Sequence, residues 1–214
     1  MIVFLDTEFT DLVVEPRLLS IAMVGSDDSR DGVSDFYAEV SDLPRLRAAS
    51  WYALDVVLPQ FGQVPDAACR YAVLCRRLAD YLSALVAGLR PGESVELLFE
   101  YHLDWTLLLL ALQDSGTPRW AATLRRLRPC NVYSIAGGAV GKQAALAYFQ
   151  SQRLAALGRH HALCDARALR LAWQAASHSV AQASGDLSQH AVAPPALALN
   201  SGRQSMVNAL LNPA

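Results

Sequence analysis

The chain opens with an unbroken apolar run, "IVFL", that passes directly into a stretch where carboxylates alternate with other residues, "DTEFTDL". A short run rich in β-formers predicts a buried strand over Ile2–Asp6. "RLLSIAMVGSDD" (17–28) predicts a second strand closed by a polar turn, and "SDFYAEV" (34–40) a third with alternating character. Three short strands with tight turns predict an antiparallel meander. The segment 41–62 is mixed and reads as loop with short helices. Helical spacing returns at 64–88, where Leu74, Leu78, Tyr81, Leu82 and Leu85 recur on one face, with Asp66 as the expected N-cap and Gly88 as the stop. After the break at "PGE", "SVELLFE" (94–100) predicts a strand, followed by a helix from about Asp104 to Gln113. That crossover is typical of parallel pairing with the first strand. The stretch 117–138 carries no clear period, whereas 139–158 and 162–180 both read as helices.

This β-β-β-α-β-α order with further helices predicts an α/β fold, a mixed sheet with helices packed on it. With 214 residues, one domain is expected over 1–182. Beyond it the composition turns to Ala, Pro, Ser and Gly, which predicts a loosely attached tail over 183–214 with a short helix at 205–212.

Composition changes this picture only a little. At 53% hydrophobic and 18% charged the chain reads as globular, and a net charge of −2 names no partner. Lys142 is the only lysine among 18 basic residues. The arginines suit phosphate recognition through their planar fork of donors, although a GC-rich genome accounts for the same bias. Cys69, Cys75, Cys130 and Cys164 have neither zinc-ribbon nor redox-motif spacing, so they read as reduced, buried cysteines of a cytoplasmic protein. Asp6 and Glu8 interrupt what would otherwise resemble a signal peptide. The strongest apolar run, "LDWTLLLLAL", is too short to span a bilayer, so no membrane partner is expected.

Three sets of residues carry candidate chemistry. Asp6 and Glu8, two apart on a strand, point the same way at about 6.5–7 Å, a separation suited to sharing a metal or holding two. Asp104 opens an apolar helix after a strand, where an ordinary N-cap is the bland explanation. His160 precedes Asp165 by five residues in "HHALCDA", which places the histidine in the loop before the last helix and the aspartate in its first turn. A loop histidine there can swing over a metal held by the aspartate and accept a proton from water near neutral pH.

Taken in order, an acidic pair on the first strand, an Asp at a middle helix and an H-x4-D entering a late helix resemble the DEDD superfamily of 3′→5′ exonucleases, which share a ribonuclease H-like fold. The histidine five residues before the last Asp resembles the DEDDh branch, and "HHALCDA" matches its H-x-A-x-x-D-A pattern, which favours His160 over His161. "DTEFTDL" resembles the branch's D-x-E-x-T-x-L. The likeness covers about residues 1–175 and is nearest to small bacterial exoribonucleases of the oligoribonuclease and RNase T kind. "SWYALDVVLPQF" resembles a tryptophan-containing segment of some of these, with Asp55 where they often carry Asn.

The resemblance implies that Asp6, Glu8, Asp104 and Asp165 hold two divalent cations, Mg2+ or Mn2+, with His160 as general base. Activity should then fall below about pH 6.5 as the histidine protonates. It also implies that Phe9 and Thr10 hold the terminal nucleotide, that Leu12 wedges between terminal bases, and that the partner is single-stranded nucleic acid with a free 3′ end, RNA favoured over DNA. Relatives of this kind are often homodimers. Trp51 is a candidate for base stacking, and Arg159 and Arg167 are candidates for phosphate contact. The cluster Arg125, Arg126 and Arg128 reads equally well as a solvated face. Two rivals stand against this picture. A haloacid-dehalogenase-type phosphotransferase would want D-x-D and a later acidic pair. A catalytically silent nuclease-like module would usually have lost one of the acids.

Overall fold

The computed structural model describes residues 1–12, 15–26, 34–152 and 157–189. The chain divides into two units, Met1–Val180 and Ala181–Ala214, and the first carries the sheet. Six strands form that sheet: β1 (Ile2–Phe9), β2 (Leu18–Gly25), β3 (Phe36–Val40), β4 (Ala68–Cys69), β5 (Val95–Phe99) and β6 (Leu127–Asn131), in the order β4-β3-β2-β1-β5-β6. The expected meander is present, with β1 antiparallel to β2 and β2 antiparallel to β3. β5 runs parallel to β1, and the two remaining pairings, β3 with β4 and β5 with β6, are also parallel. The helices are α1 (Leu43–Leu46), α2 (Tyr71–Ala87), α3 (His102–Asp114), α4 (Trp120–Leu124), α5 (Tyr133–Ala136), α6 (Ala139–Ser151) and α7 (Ala162–Gln189). The fold is therefore α/β, a mixed sheet flanked by helices, and it is compatible with the ribonuclease H-like architecture.

Alternation along β1 divides the core. Val3 and Leu5 face a cluster with Leu74, Leu78 and Leu82 of α2 and Leu107, Leu108 and Ala111 of α3. Phe4 faces the other way, with Ala22 and Val24 of β2, toward Ala162, Ala166 and Leu169 of α7. Small residues on α7 let the helix lie close to the sheet. The two-faced burial explains why β3 is buried at every position, Glu39 included, rather than half-solvated as its alternating pattern suggested. The Glu39 carboxyl group accepts hydrogen bonds from the Tyr37 hydroxyl at 2.8 Å and the Gly62 N–H at 2.6 Å, so both of its buried oxygens have partners.

Several expectations are corrected. β1 extends to Phe9, so Asp6 and Glu8 lie within the strand and not at its frayed end. α2 begins at Tyr71, after the short strand β4, and Asp66 is not its cap. Asp66 occupies left-handed backbone at φ 60°, and the carboxylate of Asp42 accepts the Tyr71 N–H at 2.6 Å instead. Gly88 does end the helix. β6 was not anticipated, because "LRPCN" is an edge strand exposed at all but Leu127, and edges tolerate proline and polar residues. Of the cysteines, Cys75 and Cys164 are buried, Cys69 is partly so and Cys130 is exposed, and all four are free thiols. α7 runs on to Gln189, and the rest of the expected tail, with its short helix at 205–212, lies outside the described residues. No helix among the described residues is long and apolar enough to cross a membrane.

Because Asp42 caps α2 from a distant loop, Asp42→Ala should lower stability by about 1 kcal/mol, within the ~0.5–2 kcal/mol span of cap deletions. Urea unfolding at constant m-value reads this directly, and a loss below about 0.3 kcal/mol would show that the helix start does not depend on Asp42.

Candidate metal centre and cleft

The carboxyl ends of β1 and β5 open into a cleft of about 940 Å³. Such strand ends are where parallel or mixed α/β sheets commonly place ligands. Asp6 and Glu8 lie on the α7 side of β1, in phase with Phe4. Glu8 pairs with Ser20 on β2, and the register shifts between Glu8 and Phe9, a bulge of the kind that often re-aims side chains near functional sites. Asp104 arrives from the neighbouring strand's crossover, in the first turn of α3, and Asp165 from the first turn of α7. Asp6, Glu8, Phe9, Leu12, Trp51, Asp104, Arg159, His160 and Asp165 all line this cleft.

Each acid is held differently. Asp104 is 2% exposed. It sits in the third position of α3, not as an ordinary N-cap, and one carboxylate oxygen accepts the Tyr101 N–H at 3.2 Å. Its other oxygen accepts the hydroxyl of Thr7 at 2.7 Å, the residue between the two strand acids. One oxygen of Asp165 accepts the His160 N–H at 2.8 Å. That bond closes the loop before α7, where His160 adopts φ 65°, a left-handed conformation that histidine tolerates better than most residues. Asp6 is open to the cleft on one side, yet its Oδ2 is closed off from solvent and has no hydrogen-bond partner. Glu8, His160 and Asp165 each offer one ligand atom, all within 4.8 Å of one another, so this group can hold a metal ion.

The electrostatics of the cluster favour protons or cations. Burial, and then the charges of Asp104, Asp165, Glu8 and Glu100, hold the Asp6 carboxyl well above the usual range. Burial together with Asp165 and Asp104 pushes Glu8 up to about 9. Burial raises Asp165 to about 7 against the opposing bond from the His160 N–H. Asp104 rises to about 6, its burial partly offset by the bonds from Thr7 and Tyr101. An orphaned carboxylate oxygen at the centre of mutually repelling acids is what a divalent ion would complete. Hard oxygen donors suit Mg2+ and Mn2+.

The histidines separate cleanly. His161 is fully buried, its ring tilted against Tyr37 with centroids 4.6 Å apart, and burial lowers its pKa to about 4, so it is a neutral core residue. His160 is half-buried in the cleft, with the Tyr52 ring edge-on at 5.4 Å. Its burial and the nearby Arg159 guanidinium lower its pKa.

Other predicted residues divide between rim and scaffold. Leu12 is 75% exposed and Trp51 73%, both at the mouth and neither in the core. Phe9 lines the cleft but also packs against the main core. Thr10 does not line the cleft. It is 2% exposed, its hydroxyl accepts the Arg17 N–H at 3.0 Å, and its carbonyl accepts the Ser50 N–H at 2.8 Å. It therefore ties the β1–β2 hairpin to the segment carrying Trp51. Arg167 is paired with Asp35 at 2.7 Å rather than facing the cleft. Arg126 binds the carbonyls of Glu93 and Arg90, and neither it nor Arg125 or Arg128 lines the cleft. The sequence patterns did not single out Thr7, Tyr52, Tyr101, Tyr133 or Lys142, all of which line the cleft.

These acids are raised above their unfolded values, so the folded, metal-free protein retains protons that the unfolded chain releases. The stability they contribute is fully present below about pH 4 and drains away as pH rises through about 6, 7 and 9. In EDTA the melting temperature should therefore fall between pH 5 and pH 8. Mg2+ or Mn2+ should restore it far more at pH 8 than at pH 5, with each kcal/mol worth about 2–4 °C in a chain of this size. Asp6→Asn should raise the metal-free melting temperature at pH 8 and abolish the metal effect. A wild-type melting temperature indifferent to divalent ions at pH 8 would contradict a metal site. No family model matches this chain and no curated protein matches it.

Proposed function

We propose that the protein is a metal-dependent 3′→5′ exonuclease that hydrolyses single-stranded nucleic acid from its 3′ end and releases nucleoside 5′-monophosphates. The observation that supports this most is the convergence of Asp6, Glu8, Asp104 and Asp165, from three separate elements, beside His160 in one cleft. A phosphodiester is already negative and resists attack. Two divalent ions held by the four carboxylates would neutralise that charge, orient a water and stabilise the leaving 3′ oxygen. Asp6 and Glu8 form the strand side of their cage and Asp104 and Asp165 the helix side. Thr7 fixes the Asp104 carboxylate, and the His160 N–H fixes that of Asp165.

His160 accepts the proton of the attacking water. Its ring lies close enough to Glu8 and Asp165 to serve as a ligand instead, but Mg2+ prefers oxygen donors, which leaves the imidazole free as a base. Lowering of its pKa keeps it neutral to lower pH than an ordinary histidine. The exposed rings of Trp51, Tyr52, Tyr101 and Tyr133 and the side chain of Leu12 give bases apolar faces to stack on, without reading their edges. Lys142 and Arg159 are the cationic side chains lining the cleft among the described residues, placed to meet substrate phosphates. The preference for RNA over DNA rests on the resemblance of the motifs to small exoribonucleases.

Strands of RNA and of DNA, labelled at the 5′ or the 3′ end and incubated with Mg2+ or Mn2+, test this reading. A ladder shortening from the 3′ end, favouring RNA, is expected, with Asp6→Ala inactive and His160→Ala lowering kcat by about 10²–10⁴-fold. The acid limb of kcat/KM should lie below about pH 6.5. Internal cuts, or an inert wild-type protein with both metals, would overturn the proposal and favour a silent nucleic-acid-binding module.

A further inference from the structure

We propose that Gln60 is a positioning residue for His160, a clamp that fixes the histidine's loop over the acid cluster; its catalytic consequence rests on the nuclease reading above. Gln60 closes a 3₁₀ turn (Leu58–Gln60) that follows a π-helical turn (Ala53–Val57). Its side chain reaches a loop almost a hundred residues away. The amide Nε2 donates to the Arg159 carbonyl at 2.7 Å and to the Val56 carbonyl at 3.1 Å, while Oε1 accepts the Gly158 N–H at 2.8 Å. The two backbone groups gripped from the far loop belong to the residues immediately before His160.

The chemistry of the contact selects an amide. Two carbonyls need donors and one N–H needs an acceptor, and only the carboxamide of Asn or Gln offers both from one planar group. A glutamate here would turn a carboxylate oxygen toward two carbonyl oxygens. A lysine would point a cation at an N–H.

The platform beneath the clamp is itself fixed. At one end the Ser50 N–H donates to the Thr10 carbonyl at 2.8 Å, next to the strand acids. At the other the Gly62 N–H donates to the buried Glu39 at 2.6 Å. Tyr52, on the same segment, meets the His160 ring edge-on. On the far side of the loop, the His160 N–H is held by Asp165. His160 thus sits in left-handed backbone between two anchors, Gln60 before it and Asp165 after it. Removing the first anchor releases Gly158 and Arg159 and leaves His160 held by Asp165 alone, with all four carboxylates retained.

The experiment compares wild type, Gln60→Ala, Gln60→Glu, His160→Ala and the Gln60→Ala/His160→Ala double variant. Gln60→Ala should lower kcat by roughly 10–100-fold, the usual cost of losing a group that orients a functional side chain. The Mn2+-induced rise in melting temperature should stay near wild type, and KM should rise by less than kcat falls, since Arg159 loses the same anchor. Gln60→Glu, which keeps the stem and the acceptor for Gly158, should also lose activity, and it serves where the alanine variant does not fold. In the double variant the Gln60 change should add less than about twofold to the His160→Ala loss, because the clamp acts through the histidine. NMR of the five histidines reads the clamp without turnover: the His160 ring signals should shift or broaden in Gln60→Ala while those of buried His161 hold. Multiplying losses in the double variant, or near-wild-type kcat together with unmoved His160 signals, would overturn the clamp. An inactive wild type, or full activity in His160→Ala, would instead break the nuclease reading, and the NMR comparison would then decide the clamp alone.

Discussion

Four carboxylates gather at the floor of one cleft, where water screens them poorly, and the architecture around them follows from that constraint. Asp104 and Glu8 are buried, and one oxygen of Asp6 is sealed off without a partner. Such a cluster works against folding in the absence of cations, since desolvation and mutual repulsion both penalise the charged forms. Single bonds from Thr7 and from the His160 and Tyr101 N–H groups relieve Asp104 and Asp165 but leave Asp6 unrelieved. A fold that maintains this arrangement against its cost stores strain of the kind that marks functional sites.

The sheet is what makes the convergence geometrically possible. A central β1, antiparallel to one neighbour and parallel to the other, brings the start of α3 beside its carboxyl end. The small-residue face of α7 packs on the opposite side of the same strand and delivers Asp165. Three elements distant in sequence therefore meet at one point. The segment 50–62 forms a fourth wall, tied to Thr10 at one end and Glu39 at the other. On the proposed reading, the acids hold the ions and this wall supplies the stacking rim and steadies the histidine.

The acids and the catalytic histidine candidate could be picked out in the sequence because each lies where an apolar run ends or begins, a boundary that leaves a local pattern. "DTEFTDL" ends an apolar run, Asp104 opens one, and "HHALCDA" introduces one. The motif favoured His160 over His161, and His160 lines the cleft while His161 is buried against Tyr37. What escaped was set by distant partners. β6 is polar because it is an edge, so its pairing with β5 has no hydrophobic signature. Thr10 matched a motif, but its hydroxyl is spent on the hairpin. Arg167 flanked the third motif, but Asp35, far away in sequence, claims it. Asp66 looked like a cap because Asp42, its actual replacement, comes from another loop. Gln60 has no local mark at all, since its partners lie across the molecule.

A two-cation site at the acid cluster can be counted, by electron paramagnetic resonance of bound Mn2+. Titration of the metal-free protein near pH 7.5 should give two Mn2+ per chain, with Asp6→Asn losing both because that carboxylate stands among all the others. Binding of no Mn2+ at millimolar concentration, or stoichiometry unchanged in Asp6→Asn, would contradict the account.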